Sequence, residues 1–214
     1  MTDSLTGEKL WNQKWVDLGE QPVNEFAIKL NREYLSYLNK DISILDLGCG
    51  HGVDSEYFYN NGYKKITAVD FSSYGIDLIN QKININTIKE NIENVEFKNN
   101  SFDIVYAHLS LHYFKDNLTK KLFKKCFEWL KDDGLLCVKC KSVNDKEISS
   151  GIMIEKDTYQ PKGKHIRHLF SKDYMKECID FASDNKGKII SINEVNGAYH
   201  TNPNASFIEA IYKK

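Results

Sequence analysis

Ile44-Leu45-Asp46-Leu47-Gly48-Cys49-Gly50-His51-Gly52-Val53-Asp54-Ser55 is the stretch of sequence that decides the fold. A mostly apolar run leads into three alternating glycines, and a helical pattern begins just beyond them. This order predicts a buried strand, a tight turn and a helix. Glycine lacks a Cβ, so the backbone of such a turn can approach a ligand closely. In open α/β folds the turn lies at the carboxyl edge of the sheet, where ligands bind.

The spacing of the glycines indicates the kind of ligand. A dinucleotide-binding turn needs G-x-G-x-x-G, and Val53 stands where its third glycine would fall. The pattern here is Asp46-x-Gly48-x-Gly50-x-Gly52, which resembles motif I of the class I S-adenosylmethionine-dependent methyltransferases. That cofactor has no phosphate to bind, but its cationic amino-acid end suits carboxylates and open backbone. The alternative is a glycine-rich turn that binds nothing.

Composition and charge narrow the class of protein. At 214 residues the chain suits one α/β domain, and a net charge of −1 gives no general attraction to nucleic acid or anionic membrane. We find neither a signal peptide nor an apolar run long enough to span a bilayer. An odd number of cysteines predicts reduced thiols and a cytoplasmic location. Cys137 and Cys140 lie three apart on an expected strand and face opposite ways, so we expect no metal site.

A second acid supports a ribose site. Residues 65–70 read as the second strand, and Asp70 ends it 20 residues after Gly50, where a carboxylate can accept bonds from ribose hydroxyls. The alternative is that Asp70 caps the next helix, although Ser72 is the better cap. Phe71 could lie against adenine. By resemblance, Asn91 replaces the usual adenine-binding acid, and its amide oxygen can still accept that bond, unless it is a plain loop asparagine.

The fourth strand leads into the predicted methyl-transfer region. Residues 102–107 followed by His108-Leu109-Ser110-Leu111-His112-Tyr113-Phe114 resemble the family's motif IV and the loop after it, which lies beside the methyl group in relatives. If the acceptor must lose a proton, His112 or His108 is the candidate base; a packing role is the alternative. The amino-methylating motifs Asn-Pro-Pro-Tyr and Asp-Pro-Pro-Tyr are absent here. The predicted cofactor-binding residues are Asp46, Gly48, Cys49, Gly50, His51, Asp70, Phe71, Ser72, Asn91, Ile92, Ala107 and His108.

The flanking segments are less specific. The pattern of residues 1–41 predicts two helices with a break near Gly19 and Pro22. Trp11 and Trp15 could pack the first helix onto the body of the protein. By resemblance, this segment could instead form a lid over the cofactor. Residues 142–170 read as an irregular connection. A cluster of polar and charged side chains in this connection could hold an anionic substrate, or the connection could be an exposed loop whose charges are solvated. The cluster comprises Tyr159, Lys164, His165, Arg167 and His168, and the predicted substrate-binding residues are Tyr113, His165, Arg167 and His168.

Three further boundaries are predicted from pattern. Asp132-Asp133-Gly134 is expected to end a helix, with the fifth strand starting at Leu135. Ser171 is expected to cap a helix reaching about residue 181, because a serine precedes an apolar-periodic run. Two late strands, 189–195 and 207–212, read as a hairpin. The lysine pairs at 120–121 and 124–125 indicate a solvated helix face, so nucleic-acid binding is not expected.

The predicted fold class is a single-domain α/β, Rossmann-like methyltransferase fold. The resemblance implies a mostly parallel seven-stranded sheet of order 3-2-1-4-5-7-6, with strand 7 antiparallel and helices on both faces. It would comprise a helical extension, 1–41, and a methyltransferase domain, 42–214. The resemblance is to the small-molecule type, the tellurite-resistance and thiopurine methyltransferase-like group. It implies methyl transfer from S-adenosylmethionine to a small-molecule acceptor, with S-adenosylhomocysteine as product. The alternatives are a non-catalytic S-adenosylmethionine-binding module or sensor and, less favoured, an NAD-dependent oxidoreductase.

Overall fold

The fold is taken from a computed structural model, which describes residues 4–145, 151–161, 165–199 and 202–214. Helices and strands alternate through most of the chain. The helices are α1 Ser4–Leu18, α2 Glu25–Glu33, α3 Val53–Asn60, α4 Ser73–Lys82, α5 Asp116–Trp129 and α6 Lys172–Ser183. The strands are β1 Ser43–Leu47, β2 Lys65–Asp70, β3 Asn86–Lys89, β4 Phe102–His108, β5 Leu130–Lys141, β6 Ile152–Glu155, β7 Thr158–Gln160, β8 Arg167–His168, β9 Lys188–Tyr199 and β10 Asn202–Lys213.

Seven strands form one twisted sheet in the order β3-β2-β1-β4-β5-β10-β9. The pairs among β1 to β5 are parallel, whereas β10 is antiparallel to both β5 and β9. Because β9 and β10 are the sixth and seventh strands of this sheet, the predicted order and the reversed last strand are confirmed. Parallel β1, β2 and β4 all end at one edge, so their carboxyl ends meet there.

Two apolar layers pack against the sheet. β1 alternates: Ile44 packs with α2 residues such as Phe26, whereas Leu45 faces the layer that contains Phe123 of α5. This period of two is what a strand buried on both faces requires. The same alternation separates Cys137 from Cys140, which lie in different layers as predicted. All five cysteines are unpaired.

The predicted end of α5 is wrong. The helix stops at Trp129, and Asp132-Asp133-Gly134 lies inside β5 as an irregularity between the pairs Phe102–Leu130 and Ile104–Leu135. Leu130 is fully buried and already continues the apolar pattern of the sheet, so the strand begins there. Asp133 takes a positive φ of 63°, which aspartate tolerates better than most residues.

The expectation of an irregular connection at 142–170 is also wrong for its described part. β6, β7 and β8 form a small antiparallel sheet, and a two-residue turn with Asp157 at φ 54° joins β6 to β7. The strands are too short for their alternation to stand out from the sequence. β9 and β10 are longer than predicted, and α6 with its Ser171 cap is confirmed. Among the described helices we find none with the length and apolarity needed to cross a membrane.

Candidate functional site

The glycine turn after β1 has a conformation that only glycine adopts readily. Gly48, Gly50 and Gly52 all have positive φ, at 80°, 57° and 80°. A Cβ on Gly50 would stand 2.7 Å from Cζ2 of Trp15, and one on Gly48 would collide with Ser110. The turn therefore brings its backbone directly beneath α1 on one side and the loop after β4 on the other.

A cavity of about 1320 Å³ opens above this turn. Its walls come from α1, the glycine turn, the end of β2, the 90–94 segment, the loop after β4 and the end of β9. Of the twelve predicted cofactor residues, ten line it: Asp46, Gly48, Cys49, Gly50, His51, Asp70, Phe71, Asn91, Ile92 and His108. The other two are elsewhere, because Ser72 caps α4 and Ala107 is fully buried in the core.

Asp70 is held in place by the backbone. Its carboxylate accepts the N–H of Gly50 at 2.9 Å and the N–H of Ser72 at 2.9 Å, one on each oxygen. Burial raises the pKa of Asp70, and these two hydrogen bonds oppose that rise. Each carboxylate oxygen has a second lone pair for a further donor. The arrangement fits a ligand that offers two neighbouring hydroxyls at the end of β2.

Two more carboxylates lie beneath the turn. Asp46 accepts a hydrogen bond from Ser55 Oγ at 2.6 Å, and burial, with the nearby charge of Asp54, raises its pKa to about 8. Asp54, in the first turn of α3, accepts from the backbone and side-chain nitrogens of Asn24 and from the hydroxyl of Tyr106 at 2.8 Å. Sequence reasoning missed Asp54, whose position gave no signal beyond following motif I. This acidic group suits the positive end of a ligand.

His108 connects the acidic group to the cavity. It lines the cavity, its Nδ1 is 3.9 Å from Asp54 Oδ2, and its ring stacks on Tyr106. Burial lowers the pKa of His108 to about 4, so the imidazole is neutral at physiological pH and has a free lone pair. Of the two predicted bases, His108 is the one that reaches the cavity.

His112 lies beneath the cavity wall. It is buried, stacks against Tyr113 and does not line the cavity, and burial with nearby positive charges lowers its pKa well below 6.5. Tyr113 and His165 do line the cavity, whereas Arg167 lies behind Tyr113 with its guanidinium 4.1 Å from the ring centroid. His168 packs on Tyr174 away from the cavity. Lys164 falls outside the described residues.

Helix α1 covers the cavity with a row of rings. Trp15 stacks on His51 with centroids 4.8 Å apart, Trp11 stacks on His165 at 5.3 Å, and the two tryptophans are 5.4 Å apart. Asn12 fixes the helix to the start of α4, since its side-chain oxygen accepts from Ser72 Oγ at 2.7 Å. Both tryptophans line the cavity and pack α1 against the body, as the packing interpretation expects, and the lid stays a prediction.

Asn91 and its neighbours close the far end. The side-chain oxygen of Asn91 accepts the N–H of Glu93 at 3.2 Å, and its amide nitrogen donates to the carboxylate of Glu93 at 2.7 Å. These bonds belong to the loop itself and match the plain loop interpretation. The residue still lines the cavity beside Ile92. No cluster of metal-binding side chains occurs within the part of the chain that the structure describes.

The fold and this geometry agree with comparisons to known proteins. Residues 44–134 match a family described as a methyltransferase domain. Comparison with curated protein sequences finds no match. A structure of an S-adenosylmethionine-dependent methyltransferase from Methanosarcina mazei is similar, with 22% identity, a TM-score of 0.70 and coverage of 84% of this chain and 95% of that one.

Two further structures extend the comparison. The 1,6-didemethyltoxoflavin-N1-methyltransferase of Burkholderia thailandensis, solved with 1,6-didemethyltoxoflavin and S-adenosylhomocysteine, has 16% identity and a TM-score of 0.71 over 100% of this chain and 86% of its own. TehB from Haemophilus influenzae has 18% identity and a TM-score of 0.67 over 97% of this chain and 66% of its own. The match over residues 44–134 and the shared fold support the resemblance to the class I S-adenosylmethionine-dependent methyltransferases.

Proposed function

We propose that this protein transfers the methyl group of S-adenosylmethionine to a small-molecule acceptor bound beneath α1. The carrying observation is one continuous cavity of about 1320 Å³ that joins the cofactor residues to the aromatic residues of α1. Sites for a single drug-sized ligand span about 300–1,000 Å³, so this one has room for cofactor and acceptor together. The Burkholderia structure, which holds a small acceptor beside S-adenosylhomocysteine, supports the same division.

The residues present fit the cofactor. Asp70 offers two fixed carboxylate oxygens for the ribose hydroxyls, and the open turn at Gly48 and Gly50 leaves room for the amino-acid end. Asp54 supplies negative charge for its ammonium and sulfonium groups, and Asp46, whose pKa burial raises to about 8, can ionise when that cation enters. When bound, the sulfonium supplies an activated methyl group. What remains for the protein is to orient the acceptor, which can lower a barrier by about 7–11 kcal/mol.

His108 is our candidate base. Its neutral imidazole lines the cavity and can take a proton from an acceptor hydroxyl or ammonium, while Asp54 stabilises the imidazolium that forms. A pKa of about 4 makes His108 a weak base, so it suits an acceptor whose nucleophile is itself acidic. His112, buried under Tyr113, serves better as packing.

We assign residues 1–41 to a lid and residues 42–214 to the methyltransferase domain. The hydrogen bonds of Asn12 to Ser72 and Ser73, together with the ion pair of Glu8 with Lys89 at 2.8 Å, hold α1 across the cavity. Opening α1 would admit ligands, and closing it would exclude water from the reacting groups. Five unpaired cysteines suit the reducing cytoplasm, where we place the protein.

Acceptor-dependent formation of S-adenosylhomocysteine, screened over a library of small molecules, tests this function. We expect turnover with a subset of acceptors, and His108→Asn should lower kcat by about 100-fold or more where a proton must leave, with cofactor affinity unchanged. Wild-type rates in His108→Asn would refute its role as base. Cofactor binding without turnover on any library member would contradict the proposal and favour a non-catalytic binding module.

A further inference from the structure

One side of the cavity is built from aromatic rings. Trp11 stands edge-on to Tyr113 with centroids 5.1 Å apart, and His165 stacks on Trp11 at 5.3 Å with planes 22° apart. We call Trp11, Tyr113 and His165 the aromatic wall. All three line the cavity, and their faces and edges suit a flat, unsaturated ligand.

Positive charge gathers at the same wall. Lys14 Nζ lies 4.2 Å from the ring centroid of Trp11, and the guanidinium of Arg167 lies 4.1 Å from that of Tyr113. Both are half-buried, and neither forms a salt bridge with any carboxylate in the described parts of the chain. Lys141 nearby differs, because it pairs with Asp145 at 2.7 Å.

These cations destabilise one another. Burial, and then the charges of Arg167 and Lys141, lower the pKa of Lys14 to about 7. Burial, and then Arg167 and Lys14, likewise lower the pKa of His165 to about 4. Half-buried cations of this kind are normally paired, so their arrangement is that of a site that gains stability when an anion enters.

One ring nitrogen of the aromatic wall and one beside it also lack partners among the described residues. Nε2 of His165 and Nε1 of Trp15 are buried, and no hydrogen-bond acceptor or donor among the described residues satisfies them. Buried polar atoms are nearly always paired, and a ligand would supply the missing partners here. Both residues line the cavity, and the ring centroids of Trp15 and Trp11 are 5.4 Å apart.

We propose that the methyl acceptor is an aromatic carboxylate, whose ring packs on the aromatic wall and whose carboxylate is attracted by the charges of Lys14 and Arg167, which lie against the rings of that wall. The charges around the cavity are then complementary to its two ligands. Asp46, Asp54 and Asp70 line the part that we assign to the cationic cofactor, and Lys14 and Arg167 lie against the rings that the anionic acceptor would meet. This inference rests on the proposed function and specifies its substrate class.

The carboxylate of the cofactor's own methionine is a second source of the same charge. If Lys14 and Arg167 held that group, their removal would weaken the binding of S-adenosylhomocysteine. If they hold the acceptor, cofactor affinity stays the same and only acceptor affinity falls. The two sources are therefore separated by measuring both affinities on the same variants.

The experiment titrates matched probes into protein saturated with S-adenosylhomocysteine. The probes are benzoate, 4-hydroxybenzoate and quinoline-2-carboxylate, each beside its neutral carboxamide, followed by calorimetry and by tryptophan fluorescence. The proteins are wild type, Lys14→Gln, Arg167→Gln and the control Lys9→Gln, which removes an exposed lysine of the same helix. Attraction between a carboxylate and these two charges predicts that at least one carboxylate binds about tenfold or more tightly than its amide.

We expect Lys14→Gln and Arg167→Gln to remove this preference and Lys9→Gln to keep it, with the affinity for S-adenosylhomocysteine unchanged throughout. Amides that bind as tightly as carboxylates, or no carboxylate binding to cofactor-loaded wild type, would overturn the inference. So would an equal loss of S-adenosylhomocysteine affinity in the two variants. Wild type that fails to bind S-adenosylhomocysteine would overturn the proposed function itself.

Discussion

Replacing Gly75 with alanine tests the close packing of α4 on the glycine turn. A Cβ at this position would stand 2.9 Å from the carbonyl carbon of Gly50 and closer still to its oxygen. Both are backbone atoms, so the turn or the helix must move. Overpacking of this kind costs about 1–3 kcal/mol. Alanine in place of glycine within a helix stabilises that helix by about 1 kcal/mol, which offsets part of this cost.

The net effect of Gly75→Ala is to lower the free energy of unfolding by up to about 2 kcal/mol. For a chain of this size that lowers Tm by up to about 8 °C. The larger effect falls on the cofactor. Gly50 donates its N–H to Asp70 at 2.9 Å, and a displaced turn breaks that bond. A hydrogen bond to a charged group contributes about 1.5–3 kcal/mol, so we expect affinity for S-adenosylhomocysteine to fall about tenfold or more.

Gly7→Ala is the matched control, because Gly7 also lies in a helix and near the cavity. Its added Cβ would meet Phe71 Cε2 at 3.6 Å, an ordinary contact, so Tm should stay or rise by a few degrees. Thermal melting and calorimetric titration of S-adenosylhomocysteine into both variants decide the matter. Gly75→Ala that melts and binds like wild type would refute the reasoning.

Three other variants probe the charges and the lid. Asn12→Ala removes the bond between α1 and Ser72, so S-adenosylhomocysteine should dissociate faster in stopped-flow experiments, and an unchanged rate would argue against a lid. The folded pKa of Lys14 lies near 7, below its ordinary value of 10.5, so its cost to stability grows as pH falls from 10.5 to 7 and is complete below 7; Lys14→Met should raise Tm at pH 6 more than at pH 9.5, and an equal shift would contradict this. The folded pKa of Asp46 lies near 8, above 3.8, so its contribution to stability is lost as pH rises from about 4 to 8. Asp46→Asn should accordingly flatten the fall in Tm between pH 5 and pH 8.5, and a wild-type slope would refute the assignment.

The sheet and the turn could be predicted because their signals are local. The glycines at 48, 50 and 52 need positive φ, and that requirement is written in three neighbouring residues. Asp70 ends a strand whose length follows from its apolar pattern, so its place at the carboxyl edge follows too. The resemblance to methyltransferase motifs then gave the order of the strands.

The contacts made by α1 could not be predicted because they join distant parts of the chain. Nothing near Asn12 indicates that it meets Ser72, and nothing near Lys14 indicates that it shares a wall with Arg167. Asp54 was missed for the same reason, since its partner Asn24 comes from the segment before β1. The helix end predicted at residues 132–134 was wrong because a turn within a strand has the same composition as a helix end.

The roles of individual site residues are still predictions, and cofactor binding is the claim on which they all depend. The most direct measurement is calorimetric titration of S-adenosylmethionine and, separately, NAD into wild type and Asp70→Ala. We predict micromolar binding of S-adenosylmethionine, weakened about tenfold or more in Asp70→Ala, and no binding of NAD. Failure of the cooperatively folded protein to bind S-adenosylmethionine, or binding of NAD in its place, would contradict the account.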